Sequence, residues 1–396
     1  MIQTLKRIHS ILNNSESSKW GGGISLLWRG NNFSLYAKAF RKSLTIKKIS
    51  TAKEQEYLLF ESARVAIYQY AKYVGIGPSD RVQILGFTCD AVTSAIEHLG
   101  AEIELYDCDE NLESTDFSIK KDTKLIICQS TFGINSIGED ILDDAINKNI
   151  HVLVDKSLSY GQSDFDSFYS DKYPEIFSFE VSKSFTIGWG GILKLPNVKA
   201  YLKFKNYYDE LGTVNIFNDI YRVLSTLLNL YMVNKGGLFQ YYLWLLLRVL
   251  RIHRISANSS NYRYHKKSKL GSLSKKIFNN LYFKISEKIA RSNKIHQQLK
   301  NVLEEKGFKV ISKVSYNCSV PRIAFLIEPQ KRSKLYDWLK TNKIEMGFWF
   351  NQLPMYSDND LNGIENLFEK VVNIPCHWTL KNHELNKIVN TLREFK

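Results

Sequence analysis

The first half of this 396-residue chain alternates between short apolar runs and stretches with apolar residues at helical spacing. Runs such as "RVQILGF", "EIELYDCD", "KLIICQSTFG", "HVLVDKS", "EIFSFE" and "GGILKL" have the length and composition of buried strands. "DAVTSAIEHLGA" and "DILDDAINKNI" have the helical spacing, and a further helix is predicted over "EQEYLLFESARVAIYQYAKY", where a glycine-proline stop follows. Strands that alternate with helices predict an α/β domain with a largely parallel sheet.

The pattern changes after residue 200, where leucine and aromatic residues dominate. "IFNDIYRVLSTLLNLYMV" and "GGLFQYYLWLLLRVLRIHR" predict helices, but the nearly uncharged run Leu238–Leu247 is much shorter than the ~20 residues of a spanning helix. We interpret this region as a buried helical insertion or a subunit interface. The alternative is a helix that lies on a membrane surface, because Arg248, Arg251 and Arg254 follow the apolar run at three-residue spacing.

The last part of the chain predicts a smaller α+β domain. A long helical pattern from Ser272 leads into "VPRIAFLIE", "RSKLYDWLKTNKI", "MGFWF" and "HELNKIVNTLREF", which indicate strand, helix, strand and helix. The length of the chain also favours two domains. The predicted division is an N-terminal segment at 1–50, an α/β domain at 51–200, an apolar and basic insertion at 201–265, and a C-terminal domain with its connecting helix at 266–396.

The net charge of +14 is local. Between Arg248 and Lys300 there are fourteen Lys or Arg residues against Glu287 alone, whereas elsewhere 40 basic residues face 39 acidic ones. This basic patch is either a solvated helix face or a docking surface for anionic lipid or for the diphosphate of a nucleotide-sugar. No nucleic-acid-binding motif accompanies the charge, so no nucleic-acid partner is predicted.

The cysteines and histidines indicate neither disulfides nor a metal site. The five cysteines form no close pair, and the eight histidines have no metal-ligand spacing. The first residues, "MIQTLKRIHSILNN", reach polar side chains too early for the core of a signal peptide. A cytoplasmic protein without a bound metal is therefore expected.

Two charged residues lie at or just after the carboxyl ends of predicted parallel strands. Asp155 ends the run "HVLVD", and Lys183 follows the run "EIFSF". The carboxyl ends of parallel strands line the ligand crevice, so both residues are candidates for a site. By itself, such an aspartate is more often a turn former and such a lysine is more often solvated surface.

The order of the motifs resembles the DegT/DnrJ/EryC1/StrS family of pyridoxal-phosphate-dependent sugar aminotransferases. The resemblance rests on "GIGPSDRVQILGFTCDAVTSAIEHLGAEIELYDCD", "VLVDKSLSYG" and "FSFEVSKSFTIGWGG", and it resumes in "LYDWLKTNKIEMGFWFNQLP" and "VVNIPCHWTLKNHELNKIVNTL". It implies fold type I of the pyridoxal-phosphate-dependent transferases, with a large domain built on a mostly parallel sheet and a smaller α+β C-terminal domain. It also implies a homodimer.

The resemblance assigns a role to each candidate residue. Lys183 would bind the cofactor covalently and then move the proton between substrate and cofactor. Asp155 would face the pyridine nitrogen, where a carboxylate stabilises the protonated ring. Ser178 would contact the cofactor phosphate.

The block "SARVAI" is similar to the Ser-Gly-Thr block that opens a helix in the family. The residues there are Ser62, Ala63 and Arg64, and a helix start is an anion site. These three are therefore implied to hold the cofactor phosphate, with Arg64 able to pair with it bidentately.

Several positions depart from the family pattern. Cys89 stands where an aromatic side chain stacks on the cofactor ring, and Leu158 stands where a Gln or His lies beside the ring hydroxyl, which a leucine cannot hydrogen-bond. In "GWGG", Trp189 stands in the place of an acid. "NYR" at 261–263 is similar to a block that reaches the partner subunit's site.

The predicted function is transfer of an amino group from glutamate or glutamine to a keto-sugar. The family implies a nucleotide-linked sugar and a role in polysaccharide or glycan biosynthesis. The retained Lys183 favours amino transfer over dehydration. The alternatives are a pyridoxal-phosphate enzyme of another reaction, either a sugar dehydratase or a non-sugar transaminase, and a catalytically degenerate scaffold that associates with membranes through 238–300.

Overall fold

The computed structural model describes residues 33–45, 57–161, 169–170, 172–180, 182–235, 267–282, 285–315, 318–348 and 361–396. The helices are α1 (Phe33–Thr45), α2 (Ala63–Tyr73), α3 (Asp90–Glu97), α4 (Glu139–Asn147), α5 (Val198–Glu210), α6 (Ile216–Lys235), α7 (Ser272–Tyr282), α8 (Ile285–Glu305), α9 (Pro329–Thr341), α10 (Asn362–Lys370) and α11 (Asn382–Glu394). The strands are β1 (Leu58–Phe60), β2 (Arg81–Leu85), β3 (Glu102–Tyr106), β4 (Thr123–Thr131), β5 (Ile134–Asn135), β6 (His151–Asp155), β7 (Glu175–Ser178), β8 (Gly191–Lys194), β9 (Gly212–Thr213), β10 (Lys267–Lys269), β11 (Lys309–Val310), β12 (Arg322–Leu326) and β13 (Val371–Pro375).

The large sheet has the order β3-β2-β4-β6-β7-β8-β1-β10-β9, with β5 added to β4. Neighbours from β3 through β7 are parallel, whereas β8 and β1 run antiparallel to their neighbours. Seven consecutive residues of β4, from Leu125, are buried. Successive side chains of a strand point to opposite faces, so this sheet is covered on both. The predicted α/β domain with a largely parallel sheet is confirmed.

The predicted helix over 54–73 is wrong in its first part. Leu58–Phe60 forms strand β1 between β8 and β10, and the helix begins only at Ala63. The pairing of these three residues with residues 191–193 of β8, and of Phe60 with Lys269 of β10, holds them extended, and all three are buried in the sheet. Ser62 starts the helix because its backbone is extended and its hydroxyl accepts a hydrogen bond from the Val65 N–H at 3.3 Å.

The C-terminal part forms a second, smaller sheet with its own core. Strand β12 lies between β11 and β13, and both pairings are antiparallel. Apolar residues of α8, α9 and α11 pack with this sheet, among them Leu299, Leu339 and Ile388. The predicted smaller α+β domain is therefore confirmed.

His296 gives this second core a predicted sensitivity to acid. Burial lowers the pKa of His296 to about 4 from 6.5, and its Nε2 lies 2.8 Å from the Ser312 Oγ. The folded state therefore favours the neutral ring, and protonation of the unfolded chain opposes folding as the pH falls from 6.5 towards 4. We expect unfolding free energy to fall by up to about 3 kcal/mol over that range. Urea unfolding at several pH values measures this decrease. The decrease in unfolding free energy should be smaller in His296→Gln than in the wild type, and it should equal the wild-type value in the control His383→Gln, at an exposed site. Equal acid losses in all three proteins would contradict this.

Helix α6, within the predicted insertion, packs on the rest of the protein with one side. Asp219, Val223, Thr226 and Leu230 recur on that side. The Asp219 carboxylate accepts hydrogen bonds from the N–H groups of Leu273 at 2.8 Å and Ser274 at 3.3 Å, and so it caps α7. The second apolar stretch, at 236–266, lies outside the described residues. No helix in the described ranges is long and apolar enough to cross a membrane.

Candidate active site

The site lies where the parallel strands end. Asp155 is the last residue of β6 and Ser178 is the last residue of β7. Because β4, β6 and β7 run in the same direction, their carboxyl ends meet at one edge of the sheet. In the register of the sheet, Asp155 stands opposite Gln129 on one side and Ile176 on the other.

Asp155 is a buried carboxylate that can accept a further hydrogen bond. The side chain is 6% exposed, and Oδ1 accepts a hydrogen bond from the Ser157 N–H at 2.9 Å. Its neighbour Gln129 has a buried Oε1 that accepts no hydrogen bond within the described part of the chain, and the same holds for the Thr88 Oγ1 after β2. Buried polar atoms are normally satisfied, so this edge of the sheet has the character of a ligand site.

Ser178 is held between the neighbouring strands. Its carbonyl accepts a hydrogen bond from the Tyr160 hydroxyl, and its Oγ accepts one from the Glu180 N–H at 3.5 Å. Phe177 and Phe179, on either side, are fully buried. The serine hydroxyl therefore has a fixed place at the end of β7.

Lys183 lies in a loop that closes on itself. The Lys183 N–H donates to the Glu180 carbonyl at 3.1 Å, and the Glu180 carboxylate accepts a hydrogen bond from the Ser182 Oγ at 2.7 Å. The Thr186 hydroxyl donates to the Phe179 carbonyl at 2.7 Å. These bonds fix the backbone of the loop, and Lys183 is half-buried in it.

The C-terminal domain supports the same loop. Trp378 Nε1 donates a hydrogen bond to the Ser184 carbonyl at 3.0 Å. Lys288 of α8 lies over the rings of Phe185 at 4.9 Å and Trp378 at 4.8 Å. The residue next to Lys183 is thus fixed by both parts of the fold.

The start of α2 adjoins the glycine turn before β8. Ser62 and Gly190 form a parallel β-bridge, so the helix start and the turn lie side by side. A Cβ at Gly191 would lie 2.5 Å from the Ala63 nitrogen and 2.9 Å from the Phe177 carbonyl oxygen. Only a glycine allows this approach, which brings Ser62, Ala63 and the end of β7 together.

Gly191→Ala is expected to destabilise the protein, because all three nearest atoms are backbone atoms that cannot rotate away. Overpacking of this kind costs about 1–3 kcal/mol of unfolding free energy. Gly77→Ala is the matched control, since a Cβ there meets nothing within 4 Å. Denaturant unfolding of both variants checks the prediction, and equal stabilities would show that the turn can move.

Cys89, Lys183 and Arg64 share one environment although they are far apart in sequence. Desolvation raises the pKa of the Cys89 thiol, while the positive charges of Lys183 and Arg64 lower it. Cys89 is also accessible to solvent. The solvent-accessible Cys89 is therefore close enough to Lys183 and Arg64 to feel the charge of both.

Leu158 lies in the turn that follows Asp155. It is 7% exposed, and the next residue, Ser159, donates from its hydroxyl to the Ser130 Oγ at 2.8 Å. The Leu158 side chain offers no hydrogen bond.

Trp189 contacts Arg222 of α6, a residue without a sequence motif of its own. The guanidinium of Arg222 lies 5.0 Å from the centre of the Trp189 ring, and Arg222 also forms an ion pair with Glu61. The only sequence signal was the replacement of an acid by tryptophan at 189. The block 261–263 lies outside the described residues.

The donor set fits pyridoxal phosphate and gives no indication of a metal. A buried carboxylate with a free accepting position suits a protonated pyridine nitrogen, and a helix start beside a serine suits a phosphate. Lysine supplies the amine that an aldehyde requires. Within the described ranges, no group of three or more His, Cys, Asp or Glu residues is arranged to hold a metal ion.

The comparisons with known proteins agree with this geometry. Residues 242–393 match the model of the DegT/DnrJ/EryC1/StrS aminotransferase family, which confirms the resemblance inferred from the sequence. No curated protein matches the chain significantly.

Solved structures show the fold over nearly the whole chain. A putative sugar aminotransferase from Streptococcus pneumoniae, in its pyridoxal-phosphate form, has 14% identity and a TM-score of 0.67, and the match covers 94% of this chain and 98% of that one. An aminotransferase of the DegT/DnrJ/EryC1/StrS group from Brucella abortus has 15% identity and a TM-score of 0.65, covering 91% and 95%. A 3-amino-5-hydroxybenzoic acid synthase has 15% identity and a TM-score of 0.58, covering 93% and 91%. The fold is that of these solved structures, as predicted, and the chain is similar to the family over residues 242–393.

Proposed function

We propose that this protein is a pyridoxal-phosphate-dependent aminotransferase that acts on a keto-sugar. The observation that carries the proposal is the placement of Asp155, Ser178 and the Lys183 loop after adjacent parallel strands, beside the helix start at Ser62. The family match over residues 242–393 supports it independently, since none of these residues lies within that match.

The cofactor, when bound, supplies an aldehyde that accepts the amino group and a ring that withdraws electrons from the reacting carbon. In the proposal, Asp155 keeps the pyridine nitrogen protonated by holding a negative charge beside it. The Ser178 hydroxyl and the helix start at Ser62 and Ala63 hold the phosphate, with Arg64 as a positive charge close to it. Lys183 accepts the proton from the substrate carbon and returns it at the cofactor carbon.

Two of the departures from the family pattern concern the cofactor ring. Leu158 leaves the ring hydroxyl without a side-chain hydrogen bond from this position. Cys89 provides a small side chain where the family pattern has an aromatic ring. Both changes affect the fit of the cofactor ring but leave the proton-transfer residue, Lys183, in place.

The finer assignment is a nucleotide-linked keto-sugar, with glutamate or glutamine as the amino donor, in polysaccharide or glycan biosynthesis. The family description and the sugar aminotransferase among the similar structures support this substrate class. A cytoplasmic location agrees with the supply of nucleotide-linked sugars and of glutamate.

We further propose that the enzyme is a homodimer and that the region 238–300 contacts anionic membrane surfaces. The exposed side of α6 supports a contact with a second subunit, because it presents apolar side chains to solvent. Phe217 is 80% exposed, and Leu224, about two turns later, is 50% exposed. The basic residues between Arg248 and Lys300 add positive charge to the same part of the chain. The alternative is a catalytically degenerate scaffold, which would need these contact surfaces but no active site.

Transamination of a non-sugar ketone is the second candidate function. It is favoured by the similarity to 3-amino-5-hydroxybenzoic acid synthase, whose named product is not a sugar. Leu158 also makes the cofactor pocket less polar than in the family pattern.

Product analysis separates these candidates. The protein loaded with pyridoxal phosphate is incubated with L-glutamate or L-glutamine and with a panel of nucleotide-linked keto-sugars and non-sugar ketones, and mass spectrometry follows the exchange of oxygen for an amino group. The proposal predicts an aminated nucleotide-sugar. An aminated non-sugar product would favour the second candidate, a dehydrated sugar would favour the dehydratase, and failure to bind the cofactor would favour the scaffold.

A further inference from the structure

Arg222 of α6 contacts Glu61 and Trp189, neither of which has a role in the proposed chemistry. Its Nη2 pairs with the Glu61 carboxylate, and its Cζ lies over the Trp189 ring, 5.0 Å from the ring centre. The side chains of Arg222 and Glu61 are only 18% and 15% exposed. A guanidinium can stack on an indole and pair with a carboxylate at the same time, and the interaction strengthens where water is largely excluded.

Both partners of Arg222 flank the proposed phosphate site. Glu61 directly precedes Ser62, and Trp189 directly precedes Gly190, while Ser62 and Gly190 form a β-bridge with each other. One side chain therefore joins the two chain segments whose contact brings the start of α2 against the glycine turn. Glu61 is also fixed from its backbone, since its N–H donates to the Ser268 carbonyl at 2.8 Å.

The next turn of α6 packs on the same glycine turn. A Cβ at Gly188, where φ is +93°, would lie 2.1 Å from the Thr226 Oγ1. The Thr226 hydroxyl donates to the Arg222 carbonyl at 2.9 Å. Because Asp219 of the same helix is bound to the start of α7, α6 is fixed on its buried side and holds Arg222 in one place.

We propose that Arg222 is a positioning residue for the phosphate end of the cofactor site, and that Trp189 is present because it completes the pocket for the Arg222 guanidinium. Arg222 sets the distance between the start of α2 and the 188–191 turn, and thus the aim of the N–H groups at Ser62 and Ala63. This proposal rests on the proposed function. It gives the insertion helix a part in building the site.

The test uses two probes that differ only in the phosphate. The dissociation constants of pyridoxal phosphate and of pyridoxal are measured by absorbance titration for the full-length wild type, Arg222→Gln, Glu61→Gln and the double variant. We expect the constant for pyridoxal phosphate to rise about 10-fold in each single variant, in the range found when residues that orient a ligand contact are lost. The constant for pyridoxal should stay within about 2-fold, and the double variant should be no worse than the single ones, because both changes remove one interaction.

Control variants distinguish a general loss of structure from a change in the position of the phosphate site. Lys148→Gln removes an exposed ion pair with Asp144 and should change neither constant. Trp189→Phe, which retains a ring for stacking, should bind pyridoxal phosphate more tightly than Trp189→Leu, and this pair serves as the test if Arg222→Gln fails to fold.

Two outcomes overturn the inference alone. These are an Arg222→Gln protein with the wild-type constant for pyridoxal phosphate, and one that loses affinity for both probes equally. A wild-type protein that binds neither probe overturns the proposed function together with the inference, so the two failures are distinguishable.

Discussion

Replacing Lys183 with alanine is expected to lower the rate of amino transfer at least about 10³-fold, because the residue that moves the proton is lost. The loop around Lys183 is fixed by Glu180, Phe179 and Trp378 through contacts that do not involve the lysine side chain. The variant should therefore fold normally. The measurement is the rate at which L-glutamate changes the absorbance of the protein loaded with pyridoxal phosphate.

Two further variants sharpen this result. Lys183→Arg keeps the positive charge but cannot act as a neutral amine, so it should be as inactive as Lys183→Ala. Lys148→Ala removes a surface lysine just after α4 that pairs with Asp144, and it should retain full activity. A Lys183→Ala protein with more than about a tenth of the wild-type rate would exclude Lys183 as the proton-transfer residue.

Asp155→Asn is expected to lower kcat about 10²- to 10³-fold with little change in KM, the size of loss seen when one electrostatic contact to the developing charge is removed. An asparagine oxygen can still accept the hydrogen bond from the Ser157 N–H, so the local fold should persist. What is lost is the negative charge beside the pyridine nitrogen. The separate determination of kcat and KM measures this directly.

Asp107 provides the matched control for the loss of a carboxylate charge. Its oxygens accept hydrogen bonds from the N–H groups of Gly363 at 2.8 Å and Ile364 at 2.9 Å, where it caps α10. Asp107→Asn should lower stability but leave kcat unchanged. If both variants lower kcat equally, or if Asp155→Asn has the wild-type kcat, Asp155 is not the partner of the ring nitrogen.

The strands of the parallel sheet could be predicted because their local pattern and their environment agree. Residues 125–128 of β4 and 152–154 of β6 are apolar throughout, and the structure buries them. Leu58–Phe60 was assigned to a helix because the neighbouring sequence has helical spacing. Its true state is set by pairing with β8 and β10, which are distant in sequence, and a local pattern carries no information about such pairing.

The same distinction applies to the site. Asp155 and Ser178 could be proposed because each ends a strand, and a strand end in a parallel sheet has a defined direction. Arg222 and Glu61 could not be proposed, since they are separated by 161 positions and meet only through the packing of α6 on the glycine turn. Trp189 was noticed as a departure from the family pattern, but its contact with Arg222 required the structure.

The most direct test of the account is to identify the residue that binds the cofactor covalently. The purified protein is incubated with pyridoxal phosphate, reduced with borohydride and digested, and the modified peptide is sequenced by mass spectrometry. We expect a single pyridoxyl modification, on Lys183, and no modification of the corresponding peptide in Lys183→Ala. Modification of a different lysine, or of none, would contradict it.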